Sequence, residues 1–438
     1  MHNWTIAVLA AAIFLWGLFD RRLEHSVVTP AMFFVTAGVL FGSEGTGWLA
    51  LDAGGHELRA VAEVTLTLVL FTDASRLNLR ALRHDYPLPA RLLGVGLPLT
   101  IGLGTVLAKA LFGGLTWIEA GLVGVILAPT DAALGQAVVT DPALPIRISQ
   151  GLNVESGLND GICVPLLFIL LAANTADEGV TSWAAAVRLV FEQIGYGLLG
   201  GLIAAVIGSL LLAWATRHGL TTSSWRRLGT LATAAACYGL AAPLGGSGFI
   251  AAFAGGLVFG WLNHEEAAPL TELVIDVGQL FEAVTFIVFG AVVVGPLFHH
   301  VDGRVVLYAA LSLTVIRMLP VAVSLLGSHA RLPTVGFIGW FGPRGLASIV
   351  FVVIVTEGHT VNGAAELTLV VSATVLASVY LHGLTAVPLA ARYANWFDAH
   401  PRPSSLMESG DAYRHPGRWH RHHTGEPPGR PPERRPDG

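Results

Sequence analysis

Long apolar stretches separated by short polar ones recur along almost the whole chain. Thirteen of them are long enough to cross a lipid bilayer as a tilted helix, for which about 20 residues are typical. They cover approximately residues 4–19, 26–42, 58–74, 88–112, 117–139, 150–173, 184–215, 226–243, 248–262, 270–297, 304–327, 334–356 and 364–392. This pattern predicts an all-α polytopic membrane protein with about 13 transmembrane helices.

One boundary in this series is weak. The ninth stretch, 248–262, is short for a full span, and it follows Gly245–Gly246–Ser247–Gly248 directly. Four small residues are also compatible with a bend inside one longer apolar stretch. The helix ends in this region are therefore left open.

The composition agrees with a protein embedded in lipid. Hydrophobic residues make up 53% of the chain and charged residues 13%, whereas soluble domains carry about 25% charged residues. A net charge of −5 gives no basic footprint for nucleic acid. Cys163 and Cys237 both lie in apolar runs, so we expect buried thiols rather than a disulfide framework. We predict no cofactor and no bound metal centre.

The basic residues predict the orientation of the chain in the membrane. Positive residues concentrate in cytoplasmic loops, and an external N-terminus places ten arginines in the six loops on the cytoplasmic side, against Arg304 alone on the other. With residues at helix ends included, the bias is eleven to four. The ten are Arg21, Arg22, Arg76, Arg80, Arg83, Arg147, Arg217, Arg226, Arg227 and Arg331. We predict a multi-pass protein of the cell membrane, with the N-terminus outside and the C-terminus in the cytoplasm.

The composition changes sharply near residue 392. Residues 393–438 are rich in Pro, Gly, Arg and His and carry few aliphatic side chains. Such a segment cannot bury enough apolar surface to fold alone. We therefore divide the chain into a transmembrane domain, 1–392, and a disordered cytoplasmic tail, 393–438.

Two prolines point to an internal repeat. Pro129 lies midway along the fifth apolar stretch and Pro343 midway along the twelfth, 343 − 129 = 214 residues later. The stretches around them form two similar sets of three, over about 88–173 and 304–392, and an offset of seven helices makes the second set inverted. Interrupted helices at matching places in two inverted halves mark the midplane site of many transporters. We predict a core of inverted repeats with two broken, crossing helices.

A charged residue accompanies the first proline. Asp131 follows Pro129, which lacks an N–H and frees backbone carbonyls from the helix ladder. A charge near the bilayer centre costs at least roughly 2.5–3.5 kcal/mol, so Asp131 needs a function or a partner. The freed carbonyls, the Thr130 hydroxyl and the Asp131 carboxylate are oxygen ligands suited to a dehydrated alkali cation.

The sixth stretch carries the densest polar group in the membrane region, Asn153–Val154–Glu155–Ser156–Gly157–Leu158–Asn159–Asp160–Gly161. On a helix, residues four apart share a face. Ser156 therefore lies beside Asp160, and Glu155 beside Asn159. Two acids, an amide and a hydroxyl within six residues cannot face lipid, so we expect them to face the bundle interior or a water-filled cavity.

We expect Asp160 to bind a cation and a proton in turn, and so to exchange one for the other. A buried carboxylate binds either a proton or a cation, so the two compete for the same oxygens. Asn159 is neutral, and a single acid at this place offers one proton per cycle. The pair favours one-for-one, electroneutral exchange by alternating access.

Two arginines inside apolar stretches need acidic or carbonyl partners, because arginine stays charged. We expect Glu155 to pair with Arg317 as a structural ion pair. Arg344 is expected to balance the freed carbonyls and helix ends at the crossing.

Asp73 lies at the cytoplasmic end of the third stretch. It could line a cytoplasmic funnel that leads to the site, or it could pair with Arg76.

At these residues the chain resembles the sodium/proton exchanger family of bacterial and archaeal NhaP-type antiporters, over about residues 5–390. Ala128–Pro129–Thr130–Asp131, Glu155–Ser156–Gly157–Leu158–Asn159–Asp160 and Gly342–Pro343–Arg344–Gly345 carry the resemblance. It implies thirteen helices, a six-helix core of inverted repeats and a homodimer. It also implies cation binding by Thr130, Asp131, Ser156 and Asp160, electroneutral exchange where Asn precedes the key Asp, and a buried Glu155–Arg317 pair. The Asp73–Ala74–Ser75 segment departs from the glycine-rich pattern of many relatives.

Two other functions have some support in the sequence. Gly245–Gly246–Ser247–Gly248 fits the GxSG pattern of rhomboid intramembrane proteases, with His382 as a candidate base, but it explains none of the buried charges. A cation channel would also use buried oxygens, although adjacent broken helices favour alternating access over a continuous pore.

The sequence predicts an antiporter rather than an enzyme, with Na⁺ the expected cation and K⁺ or Li⁺ as alternatives. Glu63 and Glu282 are candidate gating or packing acids.

Overall fold

The computed structural model describes residues 4–23, 26–49, 56–77, 87–131, 134, 143–179, 181–264, 266–358 and 361–400. All regular secondary structure in these ranges is helical, which confirms the predicted all-α architecture. We number the helices of these ranges α1 (Thr5–Leu23), α2 (Pro30–Phe41), α3 (His56–Arg76), α4 (Pro87–Leu111), α5 (Trp117–Ile126), α6 (Ile146–Asp177), α7 (Trp183–Arg217), α8 (Ser223–Ala241), α9 (Gly248–Leu262), α10 (Ala267–Leu297), α11 (Gly303–Ser324), α12 (Leu332–Trp340), α13 (Leu346–Gly358) and α14 (Ala364–Ala399).

Six of these helices are long and apolar enough to cross a membrane: α4, α6, α7, α10, α11 and α14. The predicted stretches each correspond to one helix, except the twelfth, which is divided into α12 and α13. The second half of the fifth stretch falls largely outside the described residues. Thirteen membrane crossings therefore stay a prediction.

Polar residues just before the apolar runs set the helix starts. The Thr29, Ser182 and Thr222 hydroxyls each accept a hydrogen bond from a backbone N–H in the first turn of the following helix. Before α5, Thr116 and Glu119 form a capping box, in which each side chain accepts from the other's backbone N–H. Polar residues at the ends of apolar runs thus satisfy N–H groups that have no partner within the helix.

The weak boundary near residue 245 is a real break between helices. After α8, Ala242–Leu244 form a single 3-10 turn, and Gly245 has a φ of +80°, a conformation that glycine adopts without steric cost. The Ser247 hydroxyl then accepts from the Ile250 N–H at 3.4 Å and caps α9. Ser247 thus has a helix-capping role, and His382 binds Ser378 and Trp340 instead of Ser247.

Two sets of three elements share one order: a helix, an interrupted helix and a long helix. The first set is α4, α5 with the non-helical residues that follow it, and α6; the second is α11, α12 with α13, and α14. This order matches the predicted repeat. α14 continues to Ala399, beyond the predicted end of the apolar stretch at 392, and the remainder of the predicted tail from residue 401 lies outside the described residues.

Glycines allow α9 to pack closely between α3 and α7. A Cβ on Gly256 would run into the Phe71 carbonyl oxygen and approach the Ala74 Cβ to 3.0 Å, and one on Gly260 would meet the Ser75 carbonyl. On the other side, a Cβ on Gly201 would meet the Ala251 carbonyl. Small residues that let backbones approach are a recognised means of helix association in membranes.

We predict that Gly256→Ala destabilises the protein by about 1–3 kcal/mol, because the added methyl group overpacks a backbone contact. Gly239→Ala is the matched control, since no atom lies within 4 Å of its added Cβ, and alanine favours helix by about 0.5–1 kcal/mol. Thermal unfolding of the purified protein in detergent measures both. Equal unfolding temperatures for the two variants would contradict the close α3–α9 contact.

Candidate functional site

Two interruptions of the helices meet inside the bundle. The first break, residues 127–131, follows α5, and the second break, residues 341–345, separates α12 from α13; neither has helical structure. They contain Pro129 and Pro343, as predicted. The Asp131 N–H donates to the Pro343 carbonyl at 2.8 Å, so the two breaks are joined directly. The crossing of the two breaks is as predicted, and the second break divides one helix into α12 and α13; most of the residues that follow the first break lie outside the described ranges.

Each break places a charged side chain at the helix end that adjoins the other break. Arg344 donates through Nη1 to the Ala128 carbonyl at 3.0 Å and to the Pro129 carbonyl at 3.3 Å, just past the C-terminus of α5. In return, the Asp131 Oδ2 accepts from the N–H of Leu346, the first residue of α13, at 2.9 Å. A cation at a helix C-terminus and an anion at an N-terminus are each favoured by the helix dipole. The crossing is therefore held by reciprocal caps.

The glycines of the second break are needed for this contact. A Cβ on Gly345 would run into the Asp131 carboxylate, and a Cβ on Gly342 would run into the Arg317 guanidinium. Both positions lack space for any larger residue. The Gly342–Pro343–Arg344–Gly345 sequence thus follows from the packing of two charged side chains against the second break.

α6 places its polar face against the first break. The Ser156 hydroxyl donates to the Thr130 carbonyl at 2.6 Å, and the Asn159 amide donates to the Thr130 hydroxyl oxygen at 2.7 Å. Asp160 follows on the same helix, one turn after Ser156, and is 7% exposed. Four of the predicted site residues are thereby brought together in one buried region.

Two oxygens in this region have no hydrogen-bond donor among the described residues, the Oδ1 of Asn159 and the Oδ1 of Asp160. Buried polar atoms without partners are uncommon and need an explanation. Two further acids lie close to this region, since Asp131 adjoins Thr130 and Asp73 lies beside Gly157 of α6, and like charges disfavour an ionised Asp160. A proton or a cation is the natural partner for oxygens in such a place.

Asp73 lies beside the same face of α6. A Cβ added to Gly157 would be 3.7 Å from the Asp73 Cβ, so α3 brings this half-buried acid next to Gly157. Glu282 is half-buried on α10. Neither observation assigns a cation contact, and the role of Asp73 stays a prediction.

Glu63 has a different environment. Its carboxylate accepts from the Arg59 Nε at 2.7 Å and from the Tyr238 hydroxyl at 2.8 Å, which links α3 to α8. Of the two interpretations given to this acid, gating or packing, these contacts favour packing.

Glu155 and Arg317 form a two-pronged ion pair, as expected from the sequence. Arg317 donates from Nη1 and Nη2 to the two Glu155 carboxylate oxygens at 2.6 and 2.8 Å, and each residue is 2% exposed. The pair joins α6 to α11 and so connects the two repeats. Because both charges are used in this contact, we assign them a structural role.

Some contacts at the crossing had not been expected from the sequence. The Ser348 hydroxyl donates to the Ile126 carbonyl at 2.7 Å. This hydrogen bond holds the end of α5 in addition to the contacts from Arg344. Ser378 and His382, one turn apart on α14, bind the second break. A serine and a histidine four residues apart in an apolar helix are a usable signal, because such side chains need partners inside a bundle.

Inverted sets of helices with two crossed interruptions, in a bundle of apolar helices, define a class of ion-coupled membrane transporters. The family model described as sodium/hydrogen exchanger, transmembrane, matches residues 8–392. The chain therefore belongs to the sodium/hydrogen exchanger family, whose members and structural neighbours found here are transporters rather than enzymes.

Two curated relatives agree with this assignment, and a solved structure has the same fold. The chain is 26% identical over 352 residues to the K⁺/H⁺ antiporter NhaP of Alkalimonas amylolytica, covering 80% of this chain and 60% of that protein. It is 25% identical over 320 residues to a Na⁺/H⁺ antiporter of Schizosaccharomyces pombe, covering 68% and 66%. The structure of the sodium proton antiporter MjNhaP1 from Methanocaldococcus jannaschii superimposes with a TM-score of 0.65 at 18% identity, over 86% of this chain and 98% of that one.

These similarities have different scope. At 18% identity the structural match establishes the fold alone. The chain spans less than two thirds of the length of either curated relative.

Removing one partner of the buried ion pair should be far more damaging than removing an exposed one. We predict that Arg317→Met costs about 3–5 kcal/mol, because Glu155 is left charged and buried, and that Glu155→Leu/Arg317→Met costs less than Arg317→Met alone. The control is Arg188→Met, which breaks the exposed Arg188–Glu192 pair at a cost below about 1 kcal/mol. Thermal unfolding in detergent measures all three, and equal losses for Arg317→Met and Arg188→Met would contradict the assignment.

Proposed function

We propose that this protein is a secondary active antiporter that exchanges a monovalent cation for H⁺ across the membrane by alternating access. Na⁺ is the expected cation, with K⁺ and Li⁺ as alternatives, and the exchange is electroneutral, one for one. Cation and proton compete at Asp160. Membership of the sodium/hydrogen exchanger family supports the class of activity, and the arrangement of buried oxygens supports the site.

The observation that carries the proposal is the pair of donor-free oxygens on Asn159 and Asp160. In the described part of the chain, Arg317 pairs with Glu155 and Arg344 binds backbone carbonyls through Nη1, whereas the Nε and Nη2 of Arg344 have no acceptor there. A carboxylate buried among other acids is costly unless a cation or a proton neutralises it. One carboxylate with two alternative occupants is the minimum requirement for exchange.

The cation ligands are proposed from the oxygens that surround this carboxylate. Thr130 contributes its hydroxyl and lies against Ser156 and Asn159. Asp131 adds negative charge to the site while its Oδ2 caps α13. Hard oxygens of this kind suit an alkali cation. Asn159 and Asp73 complete the proposed set of residues that bind the cation or the proton, with Asp73 on the cytoplasmic side.

The stoichiometry follows from the neutral residue before Asp160. Asn159 cannot take up a proton at neutral pH, so Asp160 is the single carboxylate of this adjacent pair. Binding one monovalent cation and releasing one proton leaves the charge of the pair unchanged. Exchange should therefore move no net charge.

The identity of the transported cation, the oligomeric state and the orientation in the membrane are proposed on less direct grounds. Relatives are named as K⁺/H⁺ and as Na⁺/H⁺ antiporters, which keeps both cations in the proposal. We infer a homodimer in the cell membrane, with the N-terminus outside and the C-terminus in the cytoplasm. Apolar side chains exposed along α1 and α7, such as Phe14 and Phe191, are suited to contact with lipid or with a second copy.

Liposomes that contain the purified protein and an internal pH dye test the exchange. Addition of Na⁺, K⁺ or Li⁺ should drive protons out of the wild-type liposomes, and Asp160→Asn should reduce the signal to that of empty liposomes, because the amide keeps the shape but binds no proton. Asp177→Asn makes the same change at an exposed position of α6 and should transport like the wild type. Proton movement in the Asp160→Asn protein, or none with any cation in the wild type, would falsify the proposal.

Voltage clamping tests the stoichiometry separately. With the membrane potential held at zero by K⁺ and valinomycin, Na⁺- or Li⁺-driven proton movement should keep the rate it has without the clamp. Electrogenic exchange would instead accelerate on clamping, because the opposing potential is removed. A current that flows without proton movement would identify a cation channel.

A further inference from the structure

Two buried polar residues on α14 contact the second break without contacting the cation site itself. Ser378 and His382 lie one turn apart and are 0% and 1% exposed. Their neighbours are backbone groups at the two ends of the break, one from Trp340 and one from Arg344. The proposed exchange chemistry makes no direct use of either residue.

The hydrogen bonds join α14 to both ends of the second break. The Arg344 N–H donates to the Ser378 Oγ at 2.6 Å, and the Ser378 Oγ lies 3.0 Å from the His382 Nδ1. The His382 Nε2 lies 3.0 Å from the Trp340 carbonyl oxygen, and Nδ1 also lies 3.1 Å from the Ser378 carbonyl oxygen. Both carbonyls can only accept, and a neutral ring donates from one nitrogen. With Nε2 as the donor, Nδ1 accepts from the Ser378 hydroxyl.

The backbone groups that they bind have lost their helical partners. Trp340 is the last residue of α12 and Arg344 precedes the first turn of α13, so their carbonyl and N–H lie where the helix ladder is interrupted. Leaving such buried groups without partners costs about 1–3 kcal/mol each. An apolar residue at 378 would leave the Arg344 N–H without its acceptor. An apolar residue at 382 would remove one of two contacts of the Trp340 carbonyl, which also accepts from the Gly342 N–H at 2.8 Å.

The same short segment determines where Asp131 lies. Pro343, between Trp340 and Arg344, accepts the Asp131 N–H, and Leu346 donates to its carboxylate. A shift of the second break would therefore move Asp131 together with the adjoining Thr130. We propose that Ser378 and His382 are positioning residues of the cation site, which hold the second break so that the first break presents its oxygens beside Asp160. This inference rests on the proposed exchange function.

Substitutions on α14 separate positioning from simple packing. Ser378→Ala removes the acceptor for the Arg344 N–H. His382→Gln keeps a donor near the place of Nε2, whereas His382→Leu removes both ring contacts. Thr374→Val is the matched control, because Thr374 is equally buried one turn away and its hydroxyl donates within the helix, to the Val370 carbonyl at 2.8 Å.

The measurement is cation-driven proton movement in liposomes over a range of Na⁺, K⁺ or Li⁺ concentrations. We expect Ser378→Ala and His382→Leu to raise the half-saturating cation concentration about three- to tenfold, as expected for the loss of one buried hydrogen bond. The maximal rate should stay within about twofold of the wild type. Thr374→Val should match the wild type, and His382→Gln should lie closer to it than His382→Leu.

The outcomes distinguish this inference from the proposed function. If Asp160→Asn abolishes exchange but Ser378→Ala and His382→Leu keep the wild-type half-saturating concentration, the positioning role is wrong and the exchange proposal stands. If Asp160→Asn still exchanges, the exchange proposal itself fails. An equal loss of maximal rate and thermal stability in Ser378→Ala and Thr374→Val would assign α14 a packing role alone. Should His382→Leu fail to fold, Ser378→Ala and His382→Gln decide the question.

Discussion

The arrangement of this protein depends on one interaction, the reciprocal capping of two interrupted helices. Arg344 from the second break binds the carbonyls at the end of α5, and Asp131 from the first break binds the start of α13. Interrupting a helix in a membrane normally leaves backbone groups without partners, at several kcal/mol each. Here each break supplies the partner that the other lacks, so two features that would each be unstable alone are stable together. Gly342 and Gly345 belong to the same arrangement, because larger residues would push the charged side chains away.

This arrangement determines which polar groups remain for function. Arg344 is used by carbonyls, Arg317 by Glu155, and the Asp131 Oδ2 by a helix start. Among the described residues at the crossing, the Oδ1 atoms of Asn159 and Asp160 are left without donors. The contacts of Arg317, of the Arg344 Nη1 and of the Asp131 Oδ2 thus hold the scaffold, and a small part of the buried polar surface, which includes the Arg344 Nε and Nη2, is free to change its partner. An exchanger needs this separation, because the groups that hold the fold must not be displaced when the occupant of the site changes.

Much of this could be predicted from the sequence, for physical reasons that are easy to state. Proline and glycine in apolar helices indicate breaks, buried charges demand partners, and positions four apart share a helix face, which together identified Pro129, Pro343 and the Ser156–Asp160 face. The direction of the caps could not be predicted, since nothing local shows that Asp131 binds α13 rather than a cation alone. The roles of Ser348, Ser378 and His382 depend on contacts between residues more than thirty positions apart. Spacing along one helix carries no information about such contacts.

The hydrogen bonds of Asn159 explain why an amide is suited to this position, beyond its lack of charge. Its Nδ2 donates to the Thr130 hydroxyl oxygen while its Oδ1 stays free. An ionised aspartate could only accept, so Thr130 would have to turn its hydroxyl hydrogen toward residue 159. A second buried negative charge would then adjoin Asp160. The amide therefore orders the Thr130 hydroxyl and keeps Asp160 the single acid of the adjacent pair.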